Sequence, residues 1–213
     1  MLQENNKTKD IVLATAFFPP ISYLKSIIAS ENVLIELYEN YQKQSYRNRC
    51  KIYAANGQLS IVIPVEQATI KKINIKDVRI DYKTSWQKQH LKSIESAYRT
   101  SPFYEFLIDD FSVFFTKKFI FLHDLNTEIL RAILEILEVK KNITYTSAYE
   151  YNYIEKLDYR TIYHPKHLTD YENLMKPYPQ VFDHKYGFIP NLSCIDLLFN
   201  LGSNAFSYLI EKY

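Results

Sequence analysis

The run Ile11–Phe18 (IVLATAFF) limits the fold before anything else is considered. A strand with one wet face alternates apolar and polar residues. This run does not alternate, so it reads as a strand buried on both faces. Such a strand needs cover on both sides, and the layering that supplies it is an α/β domain. Pro19-Pro20 stops the run, and Ile21–Ser30 then reads as a helix with Tyr23, Leu24, Ile27 and Ile28 on its inner side. Val33–Leu37 reads as a second strand. Cys50–Ala54 and Leu59–Val65 flank Asn56-Gly57, a pair that readily takes the positive φ values of a hairpin turn. Ile73–Ile80 adds a further strand.

From there the pattern turns helical. Thr84 and Gln87 have capping-box spacing ahead of a helix reaching Arg99. On that helix Trp86, His90, Leu91, Ile94, Ala97 and Tyr98 share one sector. Ser101-Pro102 opens a second helix, Leu125–Val139 is a third, and 140–190 reads as irregular. Ser193–Asn200 is a short helix ended by Gly202, and Ser203 caps a last one to Leu209. The expected architecture is α/β, with a mixed sheet from the N-terminal half and helices mainly from residue 85 onward. Residues 1–10 read as a loose tail, and 11–213 as a single domain, since 213 residues suit one good core better than two.

Composition removes several function classes. The three glycines, Gly57, Gly187 and Gly202, are isolated, whereas phosphate-cradling loops need glycines close together. P-loop kinases and Rossmann dehydrogenases are therefore excluded. A net charge of +2 argues against a nucleic-acid binder with a broad basic face. Cys50 and Cys194 lack metal-ligand spacing and suit a reducing compartment. The polar start has no apolar h-region, and Ile11–Ile21 is too short to span a bilayer, so the expectation is a cytoplasmic protein without a transmembrane segment. The 19 tyrosines fit either a sugar- or base-stacking cleft or a plain compositional habit.

The segment Glu39–Cys50 (ENYQKQSYRNRC) stands between two strand-like runs and is built from long hydrogen-bonding side chains instead of ordinary turn residues. If extended, it puts Lys43, Arg47 and Arg49 on one face and Gln44, Tyr46 and Asn48 on the other. Three cations on one edge suit a phosphate, pyrophosphate or carboxylate, but equally a charged edge strand protected from pairing.

Collinear segments along nearly the whole chain resemble the WbqC-like protein family. They are ATAFFPPISYL (14–24), ENYQKQSYRNRC (39–50), LSIVIPV (59–65), IKDVRI (75–80), SAYRTSPFYE (96–105), YPQVF (178–182) and GFIPNLSCIDLLFNLG (187–202). The resemblance implies a cytoplasmic role in bacterial O-antigen or other surface-polysaccharide assembly. It also implies, for some relatives, attachment of glycine or another aminoacyl group to an amino sugar.

On chemistry, Arg47, Arg49 and Lys43 are the expected anchors of an anionic small-molecule or glycan substrate, such as a sugar nucleotide, lipid-linked sugar or acyl donor. Tyr41, Gln42 and Asn48 would orient its polar groups. Trp86 is either a stacking platform or core. His90, one turn on, is either a neutral general base or a core histidine satisfied by a carbonyl. No cofactor is required, and no metal is expected from His164, His167 and His184 with Asp183, which lack a helical ligand pair. Ser193-x-x-Asp196 reads as a helix N-terminus, not a nucleophile. The functional expectation is an acyl- or aminoacyltransferase acting on an amino sugar. The alternative is a non-catalytic module holding a glycan intermediate or partner enzyme.

Overall fold

The computed structural model describes residues 10–66, 72–166 and 175–211. Nearly all of the expected tail therefore lies outside the described residues, as does His167. The fold is a single α/β domain. Its central sheet has four strands, β1 (Ile11–Ala14), β2 (Asn32–Glu36), β5 (Asn142–Tyr145) and β6 (Leu157–Asp158), in the order β5-β2-β1-β6. Every pairing is parallel, with Ile11 opposite Val33 and Leu157 and with Leu34 opposite Thr144. All of β1 is buried, as its unbroken apolar run requires. The antiparallel strands β3 (Arg49–Ala54) and β4 (Gly57–Val62) form a separate two-stranded sheet.

Helix α1 (Ile21–Ala29) returns the chain from β1 to β2. The helices α2 (Trp86–Tyr98), α3 (Tyr104–Thr116) and α4 (Leu122–Ile136) follow, and then α5 (Asp183–Tyr186), α6 (Cys194–Leu201) and α7 (Asn204–Ile210). α1 packs against α6 and α7, and α2 packs against α3 and β3. One core joins Leu13, Phe17, Phe18, Ile27, Ile52, Tyr98, Phe111, Ile133 and Phe199. Among the described residues no helix is long and apolar enough to cross a membrane.

Several local expectations change. The segment after β2 is not extended: residues 43–48 turn, with Gln44 at φ 57°, so Lys43, Arg47 and Arg49 do not share a strand face. Ile73–Ile80 forms a short 3₁₀ turn, Ile75–Asp77, flanked by single bridges. The hairpin closes on Ala55-Asn56, with Gly57 (φ 95°) already the first residue of the return strand. Region 140–190 is not wholly irregular, because it supplies both edge strands of the parallel sheet. Gln87 makes no cap and donates to the Lys117 carbonyl at 2.8 Å. Ser193 stands at the N-cap of α6 but spends its hydroxyl on the Phe18 carbonyl, 2.9 Å away. That bond holds the chain just after β1, where Phe18 itself sits at φ 38°.

Candidate functional site

In an open parallel sheet, ligands sit beyond the carboxyl ends of the strands, where the strand order reverses. Here the order reverses at β1, which has β2 on one side and β6 on the other. The segments leaving β2, β5 and β6 enclose a cleft of about 590 Å³ at that end. Tyr38, Glu39, Asn40, Tyr41 and Gln42 form one wall, and Tyr149, Tyr151, Asp158, Arg160 and Thr161 form the other.

The second wall is organised by Arg160. Its Nε donates to Asp158 Oδ1 at 2.9 Å and one Nη to Asp158 Oδ2 at 2.6 Å. The other Nη reaches Glu36 Oε2 at 3.1 Å and the Glu150 carbonyl at 2.8 Å. The rings of Tyr149 and Tyr153 lie 4.9 and 5.0 Å from the guanidinium. Hydrogen bonding from Arg160 holds the Asp158 carboxyl below the usual carboxylate range, against the opposing effect of burial. Glu36, wholly buried at the end of β2, also accepts the Tyr38 N–H and the Thr146 hydroxyl, each at 2.8 Å.

The first wall is fixed from behind by Arg47. Its Nε and an Nη donate to the two oxygens of Glu39 at 2.6 and 2.5 Å, and the side chains are only 2% and 6% exposed. Burial keeps the Glu39 carboxyl above its ordinary value even though the guanidinium pulls it down. Asn126 of α4 donates to the Arg47 carbonyl at 2.8 Å and to the Thr15 hydroxyl at 3.1 Å, tying this turn to the end of β1. Asn48 donates to the Ile63 carbonyl at 2.8 Å. Both side chains thus set the shape of the turn.

Arg49 differs from Arg47. It forms no salt bridge among the described residues, and its Nε is buried with no hydrogen-bond partner. It lies near enough to Tyr41 to oppose, more strongly than any other charge, the burial that pushes that hydroxyl up to about 12. Tyr41 is half-buried, whereas Gln42 and Lys43 are exposed.

His90 and Trp86 stand elsewhere. Trp86 is buried and donates its indole N–H to the Asp81 carbonyl at 3.0 Å. The His90 ring lies 5.3 Å from Trp86 and edge-on to Phe115 at 6.4 Å, with Nδ1 unpartnered. Burial lowers its pKa to about 4, so the ring is neutral at neutral pH. Neither residue lines the cleft. Among the described residues no three His, Cys, Asp or Glu side chains are placed to hold a metal. His164 Nδ1 accepts the Lys166 N–H at 3.2 Å, and His184 is exposed on α5.

Of the residues expected from sequence, the structure brings Tyr41 and Gln42 to the cleft, places Arg47 and Asn48 in the turn behind it and Arg49 at the start of β3, and leaves Lys43 exposed on the turn. Sequence reasoning missed Glu36, Glu39, Tyr149, Asp158 and Arg160. Two signals were available: glutamates interrupting the greasy end of β2, and an arginine closing the tyrosine- and acid-rich run 149–160.

The family model described as WbqC-like protein family matches residues 15–170. A relative from Mycobacterium tuberculosis (strain ATCC 25618 / H37Rv), the uncharacterized protein Rv1507c, is 23% identical over 94% of this chain and 97% of its own length. No solved structure matches the chain.

Proposed function

This chain belongs to the WbqC-like protein family, and from that footing we propose that it is a cytoplasmic transferase of bacterial surface-polysaccharide assembly. The reaction places an acyl or aminoacyl group, such as glycyl, on an amino sugar. One observation carries the reading: a cleft at the carboxyl ends of the parallel strands, walled by four tyrosines and by polar groups held rigid from behind. Tyrosine faces cover the apolar faces of a pyranose, while Asn40, Gln42 and Thr161 offer hydrogen bonds to its hydroxyls. Arg49, which has no carboxylate partner among the described residues and whose charge acts on the cleft residue Tyr41, takes the anionic handle of the donor. Arg47 and Asn48 act as positioning residues. In the transfer, the amine nitrogen bonds to the acyl carbon, the donor's carbon–sulfur or carbon–oxygen bond breaks, and the amine proton leaves with the departing group. His90 is assigned no step, because it lies outside the cleft lining.

A non-catalytic glycan-holding module is the second reading. It is favoured by one feature, the commitment of the cleft's carboxylates to arginines, which leaves no idle base on the wall. Native mass spectrometry against sugar nucleotides, amino sugars, acyl-CoA thioesters and aminoacyl donors separates the two. The transferase gives an amino sugar heavier by one acyl group, whereas the module gives a bound mass and no product. The transferase reading fails if Tyr41→Ala combined with Arg49→Ala leaves both ligand retention and product formation unchanged.

A further inference from the structure

Arg160 has no hydrogen left for an anion. A guanidinium carries five N–H donors, and those of Arg160 go to Asp158 twice, to Glu36, and to the carbonyls of Glu150 and Tyr151. Arg47 is buried and bound to Glu39 by both donating nitrogens. The charges in and directly behind the cleft are the carboxylates Glu36, Glu39 and Asp158 and the guanidiniums Arg47, Arg49 and Arg160, three of each sign. Against the wall of Tyr149, Tyr151, Asp158, Arg160 and Thr161, a phosphate or carboxylate would meet the Asp158 carboxylate without a free arginine donor.

Glu36 and Glu39 are buried and consumed, but the Asp158 side chain is 34% exposed. Its Oδ1 accepts the Arg160 backbone N–H at 3.2 Å and the Nε at 2.9 Å, and Oδ2 accepts the Nη at 2.6 Å. A carboxylate has about four lone-pair positions, so one on Oδ2 stays open, on a side chain that lines the cleft. The bidentate grip of Arg160 fixes its direction before any ligand arrives. A rigid, partly exposed anion beside tyrosine rings suits a protonated amine better than a hydroxyl, because the ammonium adds charge–charge attraction to the hydrogen bond that either donor would make.

We propose that Asp158 is the specificity-determining residue that reads the amino group of the acceptor, taking it as an ammonium on Oδ2, and that its wall of the cleft disfavours acceptor rings bearing an anionic substituent. The proposal rests on the amino-sugar reading above and adds what selects that sugar. It also accounts for product release: the ammonium gives one proton to solvent water before its nitrogen attacks and a second to the departing group, and the resulting amide is neutral and brings no charge to that hydrogen bond.

Isothermal titration calorimetry at pH 7 with methyl glucosaminide, methyl glucoside and methyl glucosaminide 6-phosphate tests it. The glucosaminide is expected to bind about tenfold more tightly than the glucoside, a difference of about 1.4 kcal/mol, and the 6-phosphate more weakly than the unphosphorylated amine. Asp158→Asn is expected to bring the amine-to-glucoside affinity ratio close to one. Should Asp158→Asn fail to fold, the ranking of the three ligands on the wild-type protein decides alone. A glucoside bound as tightly as the glucosaminide, or a 6-phosphate bound tightest, overturns the assignment of Asp158 and leaves the transferase reading standing. Amine-selective binding with no acyl product from any donor sustains Asp158 and removes the transferase.

Discussion

Replacing Arg47 by methionine keeps most of the side chain's apolar stem and deletes the charge that Glu39 holds. Both partners are almost fully buried and joined by two hydrogen bonds of 2.5–2.6 Å. Removing one member of such a pair costs about 3–5 kcal/mol, because the other is left as an uncompensated buried charge. For a chain of this length that loss lowers the melting temperature by about 6–20 °C. The loss must also depend on pH in one direction. Burial already holds the Glu39 carboxyl above its ordinary value with Arg47 present. Without the guanidinium the folded-state pKa rises further, so the variant folds best with Glu39 protonated. A group whose pKa is raised on folding contributes its stability fully below its unfolded pKa, about 4.3 for Glu, and loses it as pH climbs through the folded value. The melting-temperature gap between Arg47→Met and wild type should therefore be wide at pH 7 and shrink toward pH 4.5. The double variant Arg47→Met/Glu39→Gln should regain most of the loss at pH 7. Scanning calorimetry of the three proteins at both pH values measures this. An Arg47→Met protein with wild-type stability at pH 7 would refute the buried pair and return Arg47 to the pool of ligand-binding cations. A deficit of equal size at both pH values would refute the stranded carboxylate as its cause.

Two further outcomes follow from buried titratable groups. His90, with a pKa of about 4 when folded and about 6.5 when unfolded, favours the folded state above pH 6.5 and costs stability as pH falls toward 4. His90→Leu should flatten the acid side of the stability curve by about 1 kcal/mol at pH 5, allowing for the ring's partial exposure, and an unchanged slope in denaturant titrations would count against it. Asp196 is wholly buried and accepts from Tyr98 at 2.8 Å, Tyr178 at 2.6 Å and Gln180 at 3.0 Å, with burial pushing its carboxyl up. Tyr178→Phe should cost about 1–3 kcal/mol and Asp196→Leu more, since it takes the acceptor from both buried tyrosine hydroxyls at once; a chemical-denaturation midpoint for Asp196→Leu at or above that of Tyr178→Phe would contradict the network.

What the sequence disclosed and what it hid divide along contact distance. The doubly buried β1, the helix after Pro19-Pro20 and the hairpin near Gly57 depend on periodicity and turn chemistry within a few residues, and each appears within a few residues of its expected place. The expected strand at 73–80 and the missed edge strands at 142–145 and 157–158 depend on long-range pairing. Asn142 finds Asn32 across 110 residues, and a four-residue strand carries little periodicity of its own. The site divides in the same way. The Tyr- and Arg-rich character of Glu39–Cys50 is local and visible in the sequence, whereas its turn at Gln44 is not. Which arginine is free is not local, because Glu39 claims Arg47 only through the turn at Gln44, and Glu36 claims Arg160 from 124 residues away. Two arginines that look alike two positions apart therefore differ in kind: Arg47 is neutralised inside the fold, whereas Arg49 keeps a charge unmatched by any salt bridge among the described residues. Net charge is left by such pairs only where a partner is missing, as it is for Arg49 among the described residues.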